Sequence, residues 1–285
     1  MKLRRSVLYV PGNKPRALEK SLGLAADCVV YDLEDSVGPG DKWQARENVI
    51  QTLSLGNPRR QERIVRVNGL QSEWCEQDIA AVRSSAADGV LLPKIEAAED
   101  VDAYRQLLGD EASQHTPLWI MAETAAGILN MQQITIADPA IAVILLGLED
   151  LALETRIRHT PDRNGFLYAM SASVMAARAS GLDIIDGVYP AFRDSAGFMA
   201  ECREAVTLGF DGKSLIHPSQ VDLCNQCFTP DEDETRRAEQ LLAVWDQNRR
   251  QGQSVVVFDG RMVEHLHVKE ARRVLALATA ARSEP

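Results

Sequence analysis

LWIMAETAAGILNMQQITIADPAIAVILLGLED, residues 118–150, is the stretch that decides the fold. It opens on an aliphatic run, Leu118–Ala122, and closes on a second, Ala142–Leu146. Neither run alternates apolar with polar residues, so each reads as a short strand covered on both faces. Met131–Ala137, between them, has helical character. The two strands are consecutive in the chain, so their ends are neighbours in space. Glu123 ends the first strand, and Glu149 and Asp150 end the second.

The same unit recurs outward in both directions. Towards the N-terminus the buried runs are Ser6–Val10, Cys28–Leu33, Ile64–Val67 and Gly89–Leu92; towards the C-terminus they are Ile184–Tyr189 and Ser214–His217. Helical segments fill the gaps at Lys14–Ala26, Lys42–Leu53, Cys75–Ser85, Ala97–Leu108, Phe166–Ser180 and Ala196–Leu208. Eightfold strand–helix alternation predicts an α/β fold, a closed (β/α)8 barrel of the TIM type. The rival is an open doubly wound sheet. No GxGxxG turn follows the first strand, which disfavours the dinucleotide-binding form of that rival. Beyond the eighth strand the pattern changes to a charged helix over Pro230–Arg250, a hairpin or extended segment over Ser254–Val263, and a helix over Glu264–Ala281. The expected division is a barrel domain at 1–228 and a C-terminal lid or oligomerisation segment at 229–285, a helix–hairpin–helix appendage.

The chain's 285 residues suit one barrel with an appendage, since such barrels take about 250 residues. The net charge of −10 argues against nucleic-acid binding, which needs a basic face. The five cysteines are odd in number and scattered, so no disulfide framework is expected. Cys224 and Cys227 form a lone CxxC without a second pair and read as structural. The apolar run Val7–Val10 is shorter than the roughly 7–15 residues of a signal peptide core. Ala140–Leu148 falls well short of the ~20 residues of a membrane span. The reading is a soluble, cytoplasmic protein that does not associate with membranes.

Active sites of such barrels are built by the loops after the strands. The strand ends supply Asp32, Glu34 and Asp35; Arg66 and Asn68; Lys94 and Glu96; Glu123 and Thr124; Glu149 and Asp150; Tyr189; and His217. Glu123 and Asp150 meet at one place, and two carboxylates with open remaining positions are how Mg²⁺ is commonly held. The bland reading of each acid is an ion pair or a helix cap. Arg66 interrupts an apolar strand, which is costly unless it is paired; its fork suits a carboxylate or an enolate oxygen, or else a structural pair with Asp32 or Glu34. Lys94 raises Schiff-base chemistry as a minor rival, against an ion pair with Glu96. Lys213 is expected to precede its strand, near the opposite face. His115, His159, His265 and His267 read as surface residues, and His217 as a group that orients a neighbouring acid.

Taken together, RSVLYVPGN (5–13), YDLEDSV (31–37), RVNG (66–69), LPK (92–94), ETAAG (123–127), GLEDLA (147–152), DGVY (186–189) and GFDGKSLIHPSQV (209–221) resemble the CitE-like acyl-CoA lyases. These form the HpcH/HpaI aldolase and citrate lyase β-subunit superfamily, and the resemblance runs in order along nearly the whole chain. It implies Mg²⁺, or Mn²⁺ in its place, on Glu123 and Asp150, with Glu34 and Asp35 lining the metal site through waters. It implies that Arg66 holds the substrate or its thioester carbonyl, and that Arg5, Lys14 and Lys94 contribute to substrate and coenzyme A binding beside Glu123. Backbone amides around Glu149–Leu151 would receive a carboxylate if a helix starts there.

The implied reaction is cleavage of a 3-hydroxyacyl-CoA thioester, such as malyl-CoA or citramalyl-CoA, to acetyl-CoA and a 2-keto acid. The partners expected are the acyl-CoA, the small keto acid and further copies of the chain, in a trimer or a multiple of three. One departure stands out. Relatives carry an Asp in a GxMVD stretch of the tail, where this chain has GRMVEHLHV and Glu264 in its place. Glu264 is the candidate acid/base. The alternatives are a citrate lyase β subunit working on a carrier-protein thioester with partner subunits, a thioesterase or synthase of the same fold, and a catalytically silent binding protein.

Overall fold

The computed structural model describes residues 2–109, 116–249 and 256–283. His115, Arg250 and Ser254 lie outside the described residues. The chain clusters into two compact units, one spanning Arg4–Gln226 and the other taking the residues from Cys227 onward together with the first few of the chain.

In the first unit eight parallel strands close into a barrel in sequence order, which excludes the open sheet. They are β1 Ser6–Pro11, β2 Cys28–Asp32, β3 Glu62–Arg66, β4 Gly89–Leu92, β5 Leu118–Ala122, β6 Ile141–Leu146, β7 Asp183–Asp186 and β8 Gly212–Leu215. β8 pairs with β1, with Val7 opposite Ser214, so no edge remains. The interior is filled by Val7, Val30, Ile64, Leu91, Trp119, Val143, Leu145 and Ile185, all buried. Each such side chain contributes about 1.5–3 kcal/mol by leaving water, which is why the runs that predicted strands lack polar alternation.

β7 and β8 start and end earlier than their apolar runs indicate. DGVY and LIHP continue past the last ladder bonds, so Tyr189 and His217 stand in loops. The helix after β5 spans Ala125–Ile134 rather than Met131–Ala137. Its start is fixed by Thr124, whose side-chain oxygen accepts from the Gly127 N–H at 3.0 Å, an N-cap that stops the strand and begins the helix. Two short helices have no counterpart in the apolar pattern, Leu148–Thr155 and Val221–Phe228.

The N-terminal mouth of the barrel is closed by ion pairs. Arg4 binds Glu62 at 2.7 Å and Asp183 at 2.5 Å and lies over the Trp119 ring. Arg5 donates from its backbone and its guanidinium to Asp27. Between the wall and the helix Ser195–Leu208, Lys213 lies within β8, fully buried, 2.6 Å from Asp186 and 3.0 Å from Glu201. Asp186 is also bound by Arg163 at 2.8 Å. The expectation that Lys213 precedes its strand is therefore corrected: it belongs to the ladder, and its ammonium is spent on this network.

The second unit contains the helix Glu232–Arg249, the antiparallel pair Val256–Phe258 and Arg261–Val263, and the helix His265–Arg282. Asp259 and Gly260 both have positive φ, the conformation of a two-residue hairpin turn. Trp245, Val256, Val263 and Val268 form its small core. Among the described residues no helix is long and apolar enough to cross a membrane. None of the five cysteines is in a disulfide, and Cys224 donates to the Arg5 carbonyl at 3.1 Å, a structural contact.

Candidate active site

The register of β1, β2 and β3 sets Pro11 beside Asp32 and Asp32 beside Arg66. That of β5 and β6 ends at Ala122 opposite Leu146, so Glu123 and the Gly147–Asp150 turn follow side by side. These ends open on a cavity of about 400 Å³. Asp32, Asp35, Arg66 and Asp150 form its polar wall, and Tyr9, Met121, Leu145 and Ile216 its apolar one.

Arg66 is the hub. Its Nε and Nη2 donate to the two oxygens of Asp32 at 2.6 and 2.8 Å, a bidentate grip. Its Nη1 lies 3.0 Å from Glu34 Oε2 and 3.6 Å from Asp35 Oδ2. A further Nη1 contact goes to the sulfur of Met121 at 3.7 Å, and the guanidinium lies 5.0 Å from the Tyr9 ring centre. Both structural partners foreseen for Arg66 are thus present, while one edge of the guanidinium still faces the cavity. Burial opposes the charge on Asp32, but the guanidinium prevails and holds its carboxyl below the usual range.

Glu123 is fully buried. Its Oε1 accepts the Lys94 backbone N–H at 2.7 Å. Its Oε2 has no hydrogen-bond partner among the described residues. Burial pushes the carboxyl up from an ordinary 4.5 to about 8; Glu34 and Asp150 add to the rise, while Arg66 and the Lys94 N–H oppose it. Lys94 Nζ meets Glu34 at 3.1 Å and Asp35 at 3.8 Å, which corrects the expected pair with Glu96. Burial also raises Glu34, aided by Asp35 and opposed by Arg66 and Lys94.

The carboxyl groups of Asp32, Glu34, Asp35, Glu123 and Asp150 outnumber the cations Arg66, Lys94 and Lys42. An orphaned, buried carboxylate oxygen in such a field is costly unless a proton or a cation meets it. The donors are all oxygen, with no thiol or imidazole among them, as a hard divalent cation requires. In kind these donors suit a hard divalent cation, although among the described residues no three of them converge closely enough to form a ready-made metal site. Asp150 is half-buried in the first turn of Leu148–Thr155, so the helix start foreseen at Glu149–Leu151 exists.

The remaining expectations divide. Lys14 is exposed in the loop after β1, on the cavity side of the barrel. Arg5 precedes β1 at the opposite mouth, buried and committed to Asp27, so it cannot reach a ligand at the cavity, and its assignment to coenzyme A binding is corrected. His217 does not orient an acid: its Nδ1 meets Ser219 and its ring stacks on Phe192 at 4.5 Å. His159 is exposed yet reaches Glu149 at 3.6 Å. Glu264 is exposed in the second unit, where its backbone N–H donates to His267 Nδ1.

Tyr9, Met121 and Lys42 were not singled out from the sequence. Tyr9 and Met121 belong to strands and read there as core. Lys42 donates to the carbonyls of Leu33 and Glu34 and to Asn68, holding the acidic loop after β2 in place. A lysine in the first turn of a helix, where acids are favoured, was the available signal.

Residues 5–218 match the family model described as HpcH/HpaI aldolase/citrate lyase. The chain is 46% identical over 276 residues to a (3S)-malyl-CoA thioesterase of Cereibacter sphaeroides, spanning 97% of this chain and 95% of that one. It is 36% identical over 281 residues to the citrate lyase subunit beta of Escherichia coli, covering 96% and 93%. Among solved structures, the CitE protein of Mycobacterium tuberculosis in complex with magnesium, acetoacetate and coenzyme A superposes with a TM-score of 0.80 at 28% identity, over 96% of this chain and 97% of that chain.

Proposed function

The chain belongs to the HpcH/HpaI aldolase/citrate lyase family, and on that premise we propose that it is a Mg²⁺-dependent carbon–carbon lyase acting on a malyl-CoA-type thioester. The observation that carries this reading is the orphaned Oε2 of buried Glu123, set among the carboxylates of Glu34, Asp35 and Asp150 beside an arginine clamped by Asp32. The solved CitE complex with magnesium and coenzyme A supports the cofactor and the substrate class.

Glu123 and Asp150 would hold the cation, which supplies Lewis-acid polarisation of the substrate's hydroxyl and carboxylate oxygens. Asp35, the most exposed carboxylate beside Arg66, takes the hydroxyl proton. The carbon–carbon bond next to the carbinol then breaks, and its electron pair passes to the thioester carbonyl oxygen as an enolate. Arg66 meets that oxygen with Nη1: the Met121 sulfur it touches is a soft acceptor that a charged oxygen displaces. A donor fixed in advance by Asp32 stabilises developing charge without reorganising. Protonation of the enolate carbon, assigned to Glu264 of a neighbouring copy, gives acetyl-CoA and the 2-keto acid. Lys14 guides the coenzyme A moiety at the rim. A homo-oligomer in multiples of three and a cytoplasmic location go with this reading.

A second reading is favoured by the Cereibacter sphaeroides relative, a (3S)-malyl-CoA thioesterase. Here water adds to the same carbonyl and the thioester carbon–sulfur bond breaks. Incubating purified protein with (3S)-malyl-CoA and citramalyl-CoA, with and without Mg²⁺, separates the two. Metal-dependent formation of acetyl-CoA and a 2-keto acid supports the lyase. Free coenzyme A with the intact hydroxy acid supports the thioesterase, and no turnover of either thioester sinks both.

A further inference from the structure

Lys94 has φ +52, a left-handed backbone on a non-glycine residue. Such conformations are sparsely populated by residues with a Cβ and persist where their surroundings over-determine them. The surroundings here are specific. Pro93 precedes Lys94 and the side chain of Ile95 behind it is buried, which fixes the chain on both sides. With the chain anchored on both sides, the left-handed turn is what lets the Pro93–Lys94 peptide plane keep the Lys94 N–H turned to Glu123, just past β5, where it donates to Oε1 at 2.7 Å. The same residue reaches the opposite way with its ammonium, 3.1 Å from Glu34 and half-exposed at the rim.

From this geometry we infer that Lys94 is a positioning residue for Glu123 and acts through its main chain. The left-handed turn fixes one oxygen of the buried carboxylate so that the other, Oε2, is held facing the Gly147–Asp150 turn. The inference rests on the reading of Glu123 as a metal ligand and extends it by a residue that does not itself touch the cation. The ammonium acts separately. It offsets the charge of Glu34 and Asp35 and presents a positive group to an anionic substrate.

The backbone and ammonium roles predict different orders among variants. If the backbone orients Glu123, metal affinity follows tolerance of the left-handed region: glycine and asparagine adopt it readily, alanine less so and valine worst. If only the ammonium mattered, all four substitutions would act alike.

The experiment measures Mn²⁺ binding by the loss of its free-ion spin-resonance signal, in the native chain and in Lys94→Gly, Lys94→Asn, Lys94→Ala and Lys94→Val, with crystal structures of the glycine and valine variants. Glycine and asparagine should bind Mn²⁺ at least as tightly as the native chain, since a nearby positive charge is gone. Valine should bind roughly tenfold or more weakly, the usual cost of losing a partner that orients a ligand. Should valine fail to fold, weaker binding by alanine than by glycine carries the same result. All four variants should raise KM for an anionic thioester. In the crystals Glu123 Oε1 stays bonded to the residue-94 nitrogen in the glycine variant and leaves it in the valine variant. Equal Mn²⁺ affinity in glycine and valine, or an unmoved Glu123 in the valine variant, overturns the inference. Failure of the metal reading shows separately, as Mn²⁺ binding that survives Glu123→Gln, and the crystal structures decide the role of Lys94 in either case.

Discussion

Gly147 lies so close to Glu123 that a methyl group on it would stand 2.5 Å from the Glu123 Cβ and 2.7 Å from Oε2. The β6 turn must pass over the buried carboxylate with bare backbone for Asp150 to come beside it. Gly147→Ala should therefore displace Glu123 and abolish divalent-metal binding in a chain that still folds. Calorimetric titration with Mg²⁺ and far-ultraviolet circular dichroism check the two halves; a variant that titrates like the native chain refutes the account.

Arg66 is gripped bidentately by Asp32 through Nε and Nη2, while its Nη1 lies beside Glu34 and meets the soft Met121 sulfur at the cavity. Lysine retains the charge but neither the fork nor the reach. Arg66→Lys should lower kcat by on the order of 10²-fold or more, the loss seen when a preorganised donor to developing charge is removed, and should change KM far less. Steady-state kinetics on the active thioester decide it.

The raised pKa of Glu123 has a signed consequence for the metal-free chain. The folded state keeps this proton up to about pH 8, whereas the unfolded state releases it near 4.5. Between those values the folded chain binds more protons, so stability falls as pH rises through the window. Glu123→Gln removes the penalty, and the melting temperature of the metal-free variant should exceed that of the native chain at pH 8.5 but not at pH 4. Thermal melts in chelator at both values test the sign. Mg²⁺ should restore the native chain at the higher pH and leave the variant unchanged.

Lys213 and Asp186 are both fully buried and 2.6 Å apart, on the helix side of the barrel wall. Removing Lys213 leaves Arg163 as the remaining cation on Asp186, so the cost should reach at most the about 3–5 kcal/mol of a fully stranded buried charge. Lys213→Met should lose stability up to that scale in urea unfolding while kcat of the folded fraction holds. A large fall in kcat without loss of stability would place Lys213 in the reaction.

The ammonium of Lys94 is held in its charged state: burial disfavours the charge, but Glu34 outweighs it and raises the pKa. A Schiff-base lysine needs the free amine. Borohydride treatment in the presence of a 2-keto acid should leave Lys94 unlabelled by mass spectrometry.

The apolar runs that became strands, and the acids that end β5 and β6, were legible because burial and chain order are local properties. A strand covered on both faces must lack polar alternation, and consecutive parallel strands must end side by side. The limits of β7 and β8 were not legible in the same way, because apolar residues continue past the last ladder bond into Val188 and Ile216, which line the cavity. Nor was the helix start at Ala125, which depends on one hydroxyl of Thr124.

By itself, then, the sequence determined a barrel of eight buried strands and the set of charges gathered at its rim. Only the tertiary structure decided which charge answers which: Arg66 to Asp32, Lys94 to Glu34 rather than Glu96, Lys213 to Asp186, and Arg5 to Asp27 at the far mouth. The physical reason is that an ion pair is settled by register between strands distant in sequence and by which side of the wall each side chain faces. One residue of shift exchanges inside for outside, and spacing along the chain does not carry that information.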